Sequence, residues 1–221
     1  MKKQTIMLAG GTGLVGSHCL KFLQEADYCG KVNVMTRKPV SGIENFSKAE
    51  QFIVDFDAPK TLEQGGPCDS VVCALGTTIK KAGSKEAFKT VDFNYCLEVA
   101  RAGLANGAGH FLLVSAMGSS PRSSIFYNRI KGELEQAVMA LGFSCVSVFR
   151  PSLILGAREE FRFGEEIGKF FSRIFSFAVP AKYKAIYASD IAMAIVRQAA
   201  ECREYNRIFE SHEIRALAHE A

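Results

Sequence analysis

Short apolar runs bounded by turn residues alternate along this chain with longer stretches in which apolar residues recur every three or four positions. Thr5–Ala9 is a short run, followed by glycines and a helical pattern from about 14 to 26. Lys31–Thr36, Gln51–Asp55 and Ser70–Leu75 read as the next three strands. A polar loop, 76–83, leads to a long helix whose stripe is Phe88, Val91, Tyr95, Val99 and Ala102, ended by Asn106-Gly107-Ala108-Gly109. His110–Ser115 is the fifth strand. A helix over about 124–141 carries the stripe Phe126, Ile130, Leu134, Val138 and Leu141, and Ser144–Phe149 is the sixth strand. The segment 151–186 is irregular and rich in charge and Phe; Ala188–Glu201 is helical and Arg207–Glu210 is a last strand.

Alternation of strands and helices, with strands apolar throughout, predicts an α/β fold: a doubly wound parallel sheet covered on both faces. No repeat or linker divides the chain, so residues 1–221 read as one domain, with 151–186 as a lid or substrate segment. Ligands of such sheets bind beyond the carboxyl ends of the strands, so the informative residues should follow the strands directly.

Composition narrows the function. The 27 Lys and Arg against 23 Asp and Glu leave a net charge of only +4, too balanced for a dedicated nucleic-acid binder. No apolar stretch is long enough for a membrane span, and the start lacks a signal-peptide pattern. Seven cysteines form no C-x-x-C pair and several sit in apolar runs, which fits buried reduced thiols and a cytoplasmic setting. The four histidines show no metal-ligand spacing, so no metal is expected.

The first strand runs into Ala9-Gly10-Gly11-Thr12-Gly13-Leu14-Val15-Gly16, which satisfies G-x-x-G-x-x-G and G-x-G-x-x-G together. Glycines allow the tight turn and the close backbone approach of a pyrophosphate, which then meets the helix N-terminus. Gly10, Thr12, Gly13, Leu14, Val15 and Gly16 are the expected contacts. After the second strand, where an acidic residue would bind a ribose 2′-hydroxyl, stands Thr36-Arg37-Lys38-Pro39. Arg37 and Lys38 attract a 2′-phosphate, so NADP(H) is expected over NAD(H). Asp55 and Phe56 either bracket the adenine or are an ordinary strand end. Leu75, Gly76, Thr77 and Thr78 would pass under the cofactor.

Ser115 ends the fifth strand, and Tyr127 and Lys131 share one face of the next helix at i and i+4. Of six tyrosines, only Tyr127 has a lysine four positions on. In carbonyl reduction the phenol would donate the proton, the ammonium would lower the phenol's pKa, and the serine would hold the carbonyl oxygen. The Tyr127/Lys131 face lies one position beyond the apolar stripe, so it is expected to flank the core.

These residues resemble the short-chain dehydrogenase/reductase superfamily. The closer resemblance is to its atypical branch of small NAD(P)-binding proteins similar to the Tat-interacting protein. It rests on Ala74-Leu75-Gly76-Thr77-Thr78 with Lys80-Lys81-Ala82-Gly83, on Val91-Asp92, Phe111–Ser115 and Lys131-Gly132-Glu133, and on Phe149-Arg150-Pro151-Ser152. The resemblance implies a Rossmann-like sheet in the order 3-2-1-4-5-6-7 with a small C-terminal substrate-covering portion, and bound NADP(H). It implies a catalytic triad of Ser115, Tyr127 and Lys131, with Lys131 also on the nicotinamide ribose and Pro151 and Leu153 beside the nicotinamide amide. Where larger members carry an Asn after strand four, this chain offers Asp92 or Asn94. Two functions follow: an NADP(H)-dependent oxidoreductase of a small carbonyl or alcohol, with Phe161, Phe163, Phe170, Phe171, Phe175 and Phe177 lining the substrate or packing the core, or a non-catalytic NADPH-binding regulator or redox sensor acting through a protein partner. A homodimer is the other assembly considered.

Overall fold

The structure is a computed structural model, and it describes residues 3–156, 183–201 and 205–220. Its frame is a parallel sheet of β1 (Gln4–Ala9), β2 (Cys29–Thr36), β3 (Ala49–Ile53), β4 (Ser70–Cys73), β5 (His110–Val114), β6 (Cys145–Arg150) and a last strand, β9 (Arg207–Glu210). The seven lie in the order β3-β2-β1-β4-β5-β6-β9, as the resemblance implied. A separate two-stranded ladder joins β7 (Ile154–Leu155) to β8 (Ile186–Tyr187).

Strand side chains alternate between the two faces, which explains why the strands are apolar at nearly every position. Ile6 and Leu8 of β1, with Val32 and Val34 of β2, pack under α1 (Leu14–Glu25), α6 (Ala188–Ala199) and α7 (Ser211–His219). Met7 and Ala9, with Val71, Phe111 and Leu113, pack on the opposite face under α4 (Cys96–Ala105) and α5 (Phe126–Met139). Winding reverses between β1 and β4, which opens a cleft at their carboxyl ends.

Three local features depart from the sequence reading. The polar loop 76–83 contains a helical turn, α2 (Ile79–Ala82), capped by the Thr78 side chain, which accepts from the Lys81 amide. The long helix is divided into α3 (Lys85–Lys89), a π-helical turn over Thr90–Tyr95, and α4. The helix α7 after the last strand was not anticipated; a Glu210/Glu213 capping box starts it, with Glu at the cap position where Ser or Thr is the readable signal.

Residues 157–182 are outside the described set, and with them Phe161, Phe163, Phe170, Phe171, Phe175 and Phe177. The chain on either side is held together by the β7–β8 pair and by Ser152, whose hydroxyl donates to the Lys184 carbonyl at 2.5 Å. Gly156 lies against Leu14 at the start of α1; a Cβ there would sit 2.2 Å from Leu14 Cδ1. Among the described residues no helix is long and apolar enough to cross a membrane, no cluster of acidic, His and Cys side chains could hold a metal, and the six cysteines are buried and unbridged.

Candidate functional site

The glycine loop is built by close backbone contact. Gly10 adopts φ +87°, a conformation side chains disfavour, and a Cβ on it would meet the Ala74 carbonyl at 2.5 Å. A Cβ on Gly16 would sit 2.1 Å from the Gly10 oxygen. The loop after β1 is thereby folded onto the first turn of α1 on one side and onto the loop after β4 on the other. Gly13 caps α1 without a side-chain bond, and the first turn carries no acidic residue. The exposed helix end is therefore free to face an anion.

A cavity of about 410 Å³ opens beside this loop, lined by Gly10, Thr12, Met35, Thr36, Arg37, Lys38, Val40, Phe56 and Leu75. It brings together the predicted phosphate loop, the basic pair after β2 and Phe56. Arg37 and Lys38 are both exposed at its rim. Phe56 is buried, and Tyr95 backs it at 5.3 Å between ring centroids. Tyr95 in turn donates to Asp57 Oδ1 at 2.8 Å. Asp55 does not line the cavity; its carboxylate accepts from the Asp57 amide at 2.9 Å and so shapes the turn. Sequence reasoning missed Tyr95 here, since it counted that residue as part of a core stripe.

The second cluster lies at the ends of β4 and β5 and on the inner face of α5. Lys131 is buried, deeper than the core flank that its spacing suggested. Its Nζ lies 2.8 Å from Asp92 Oδ1, and Asp92 is itself only 1 % exposed. The Thr77 amide donates to Asp92 Oδ2 at 2.8 Å. Of the two candidates for this place, Asp92 faces the lysine and Asn94 is exposed. Burial is the largest influence and pulls the Lys131 pKa down; Asp92 first, with Tyr127 and Cys96, together outweigh it and hold the ammonium's pKa above its usual value. Gly76 covers this pair from the solvent side. A Cβ there would lie 3.5 Å from Asp92 Oδ1 and 3.8 Å from Lys131 Nζ.

Tyr127 packs its ring against Phe88 at 5.3 Å between centroids. The sequence reading has Lys131 lowering its pKa. The net direction is the reverse: burial raises it, Lys131 pulls it down, and Asp92 raises it again. Burial is the largest of the three.

Ser115 is buried at the end of β5 and is not hydrogen-bonded to Lys131. Its hydroxyl donates to Glu135 Oε1, and Ser119 Oγ is 3.1 Å away. Glu135 is 3 % exposed and takes a two-pronged contact from Arg150, Nε at 3.1 Å and Nη2 at 2.6 Å. Arg150 also donates to Glu210 Oε1 at 3.2 Å, which extends the chain of charge from α5 across β6 to β9. Glu135 and Glu210 were missed from sequence. The signal for Glu135 was present, since Tyr127, Lys131 and Glu135 recur at i, i+4 and i+8 on one helical face. Pro151 and Leu153 follow β6: the Pro151 carbonyl accepts from the Met117 amide at 2.9 Å, and the Leu153 carbonyl from the Ile186 amide at 2.9 Å.

No family model matches the chain. Protein HTATIP2 of Rattus norvegicus is 32 % identical over 201 residues, covering 88 % of this chain and 79 % of that protein. The mitochondrial protein fmp52 of Emericella nidulans is 35 % identical over 172 residues, covering 76 % and 74 %. Among solved structures, the UDP-N-acetylglucosamine 4-epimerase of Methanobrevibacter ruminantium, in complex with UDP-N-acetylmuramic acid, superposes with a TM-score of 0.70 at 17 % identity, covering 95 % of this chain and 77 % of that one. The Bordetella bronchiseptica enzyme WbmH, in complex with NAD+, superposes at 0.69 with 17 % identity, covering 95 % and 76 %. Fold, strand order and sequence agree: the chain belongs to the family of HTATIP2, the Tat-interacting protein, and FMP52, a branch of the atypical short-chain dehydrogenase/reductase proteins with a Rossmann-like sheet.

Proposed function

We propose that this protein is an NADP(H)-dependent oxidoreductase that interconverts a small carbonyl and its alcohol. One observation carries the reading. The loop after β1 touches the loop after β4 at Gly10 and Ala74, and two residues further on Gly76 lies over the Lys131–Asp92 pair. A continuous track of backbone and glycine thus runs from an anion-ready helix end to a buried ammonium on the helix that carries Tyr127.

The residues present fit a dinucleotide. The Gly10–Gly16 turn would take the pyrophosphate on backbone amides. Arg37, with Lys38, would take a 2′-phosphate in a cavity whose rim offers no competing carboxylate. Phe56, backed by Tyr95, would lie against the adenine, and Lys131 has protons left beyond its Asp92 contact for ribose hydroxyls. The bound nicotinamide would supply or accept the hydride. Tyr127 gives the proton to a carbonyl oxygen, or takes it back from an alcohol. Ser115 has one proton, and it rests on Glu135; a turn about its C–O bond redirects that proton to a substrate oxygen.

Calorimetric titration with NADPH and NADH tests the cofactor reading. NADPH should bind about tenfold or more tightly, and Arg37→Ser should close the gap, because a charge-assisted bond to a phosphate contributes roughly 1.5–3 kcal/mol. Equal binding of the two cofactors would remove Arg37 from its role. NADPH oxidation against a carbonyl panel tests the chemistry: Tyr127→Phe should keep NADPH binding and lower turnover by roughly 10²–10⁴. Tight NADPH binding with no turnover in the native protein would instead favour the regulator that senses the cofactor through a protein partner.

A further inference from the structure

We infer that the substrate of this site carries an anionic group of its own, a carboxylate or a phosphate, and that Lys85 and Arg129 hold that group at the lip beside Tyr127. This rests on the oxidoreductase reading above and adds the chemical class of the carbonyl compound.

Charge is uneven along the segments that follow β4 and β5 at the ligand end of the sheet. From 74 to 89 the chain carries Lys80, Lys81, Lys85 and Lys89 against one acid, Glu86. From 115 to 129 it carries Arg122 and Arg129 and no acid at all. Six cations against one carboxylate thus flank the cleft on the Tyr127 side, in a chain whose whole net charge is +4. The cofactor does not account for them, because in the reading above its phosphates lie on the Gly10–Gly16 turn and on Arg37 and Lys38. The neighbouring carboxylates do not account for them either. The π-helical turn fits one extra residue into its helix, and Asp92 of that turn is buried against Lys131. Glu133 Oε1 stands 4.0 Å from Arg129 Nε, beyond hydrogen-bond reach.

Two of the six cations are brought together from different elements. Lys85 of α3 has its Nζ 5.4 Å from the centre of the Phe126 ring, and the Arg129 guanidinium of α5 is 5.6 Å from the same centre. A ring face attracts a cation through its quadrupole and leaves N–H groups for a ligand. Both long side chains are therefore restrained before a ligand arrives, which lowers the entropy lost on binding. Arg129 is fixed further by Nη1, which donates to the Ser123 carbonyl at 3.1 Å. Phe88 joins this pair to the phenol: its ring centre is 6.0 Å from that of Phe126 and 5.3 Å from that of Tyr127.

Beside these cations Ile125 is 60 % exposed. The lip thus sets an apolar surface next to two positive groups, which suits a molecule with an apolar body and one acidic end. A cleft flanked by one sign of charge also raises the local concentration of a ligand of the opposite sign. The acidic end stays at the lip on Lys85 and Arg129, and the carbonyl end reaches Tyr127.

The test compares charged carbonyl compounds with uncharged counterparts by NADPH oxidation. The pairs are pyruvate with pyruvamide, para-carboxybenzaldehyde with para-formylbenzamide, and glycolaldehyde phosphate with glycolaldehyde, so that carboxylate and phosphate are told apart. In at least one pair the anion should have a KM about tenfold lower, the effect of one charge-assisted bond, and the gap should narrow in about 0.5 M salt. Arg129→Gln and Lys85→Gln together should remove most of that gap. Lys21→Gln, a loss of charge on the exposed side of α1, should leave it in place. Equal KM values within every pair overturn the inference, and so does a gap that survives Arg129→Gln with Lys85→Gln or that Lys21→Gln removes equally well. Should no carbonyl be reduced, calorimetry with the same pairs on the NADPH-loaded protein decides. Anions that bind where their counterparts do not, and that lose this advantage in Arg129→Gln with Lys85→Gln, support the anion site and remove the oxidoreductase reading beneath it. Anions that bind no better than their counterparts overturn the inference.

Discussion

The two halves of the cleft do their work with different materials. On the β1–β2 side the site is made of backbone: glycines that touch carbonyls, a helix end, and two cations exposed to water. On the β4–β6 side it is made of buried charge: Asp92 with Lys131, wholly enclosed, and the buried Glu135 with a half-buried Arg150. A backbone site tolerates little change in shape but much change in charge. A buried ion pair has the opposite weakness, because removing either partner strands the other in a low dielectric.

That contrast can be broken by experiment. The largest effect is expected from Glu135→Ala, which leaves Arg150 only its Glu210 contact and takes from Ser115 its carboxylate acceptor; urea unfolding should show a loss of roughly 3 kcal/mol, the lower end for breaking a buried pair because Arg150 keeps a partner. Replacing the pair together, Glu135→Leu with Arg150→Met, should recover most of that loss. If the single variant costs no more than a surface change, the buried-charge description of this half is wrong. A loss of roughly 3 kcal/mol is expected in acid from His110, which lies buried at the far end of β5 beside Ser147. Burial lowers its pKa from 6.5 to about 4. The unfolded chain therefore takes up a proton that the folded one refuses. Stability on this account is full above about pH 6.5 and declines as the pH falls toward 4, and His110→Gln should flatten that decline in urea midpoints measured across the range. The smallest effect belongs to the backbone half. Gly16→Ala forces a Cβ against the Gly10 carbonyl and should weaken NADPH binding by roughly 1–3 kcal/mol, with the β4–β6 half unchanged in its thermal unfolding. A Gly16→Ala protein that binds NADPH as tightly as the native one would show that the close contact does not shape the cradle.

The same contrast explains what the sequence disclosed. Gly10, Gly13 and Gly16 are legible because their constraint is local: a turn between a strand and a helix, readable from a few neighbouring residues. The strands were legible for a similar reason, since burial on both faces leaves an apolar run. The partners of Lys131 and Ser115 come from elsewhere in the chain: Asp92, from a different helix, was offered only by the resemblance and beside Asn94, and Glu135 shares a helical face with Tyr127 and Lys131 but nothing local says that it reaches Ser115 on β5. The long-helix stripe misled in an instructive way. It placed Phe88, Val91, Tyr95 and Val99 on one continuous face, but the π turn changes the register between Phe88 and Val99, and Tyr95 ends beside Phe56, which lines the cavity at the glycine loop. Propensity and periodicity carry no signal for a single inserted residue.

That inserted residue makes the site sensitive to length. Each residue in a regular helix turns the next by about 100°. Deleting any one position between 90 and 95 other than Asp92 would let the helix run on without interruption, and either Asp92 or everything after it would swing by that angle. The carboxylate would then no longer meet the ammonium, although every functional side chain would still be present. Alignments that treat a gap in this stretch as harmless would join chains that keep this buried ion pair with chains that have lost it.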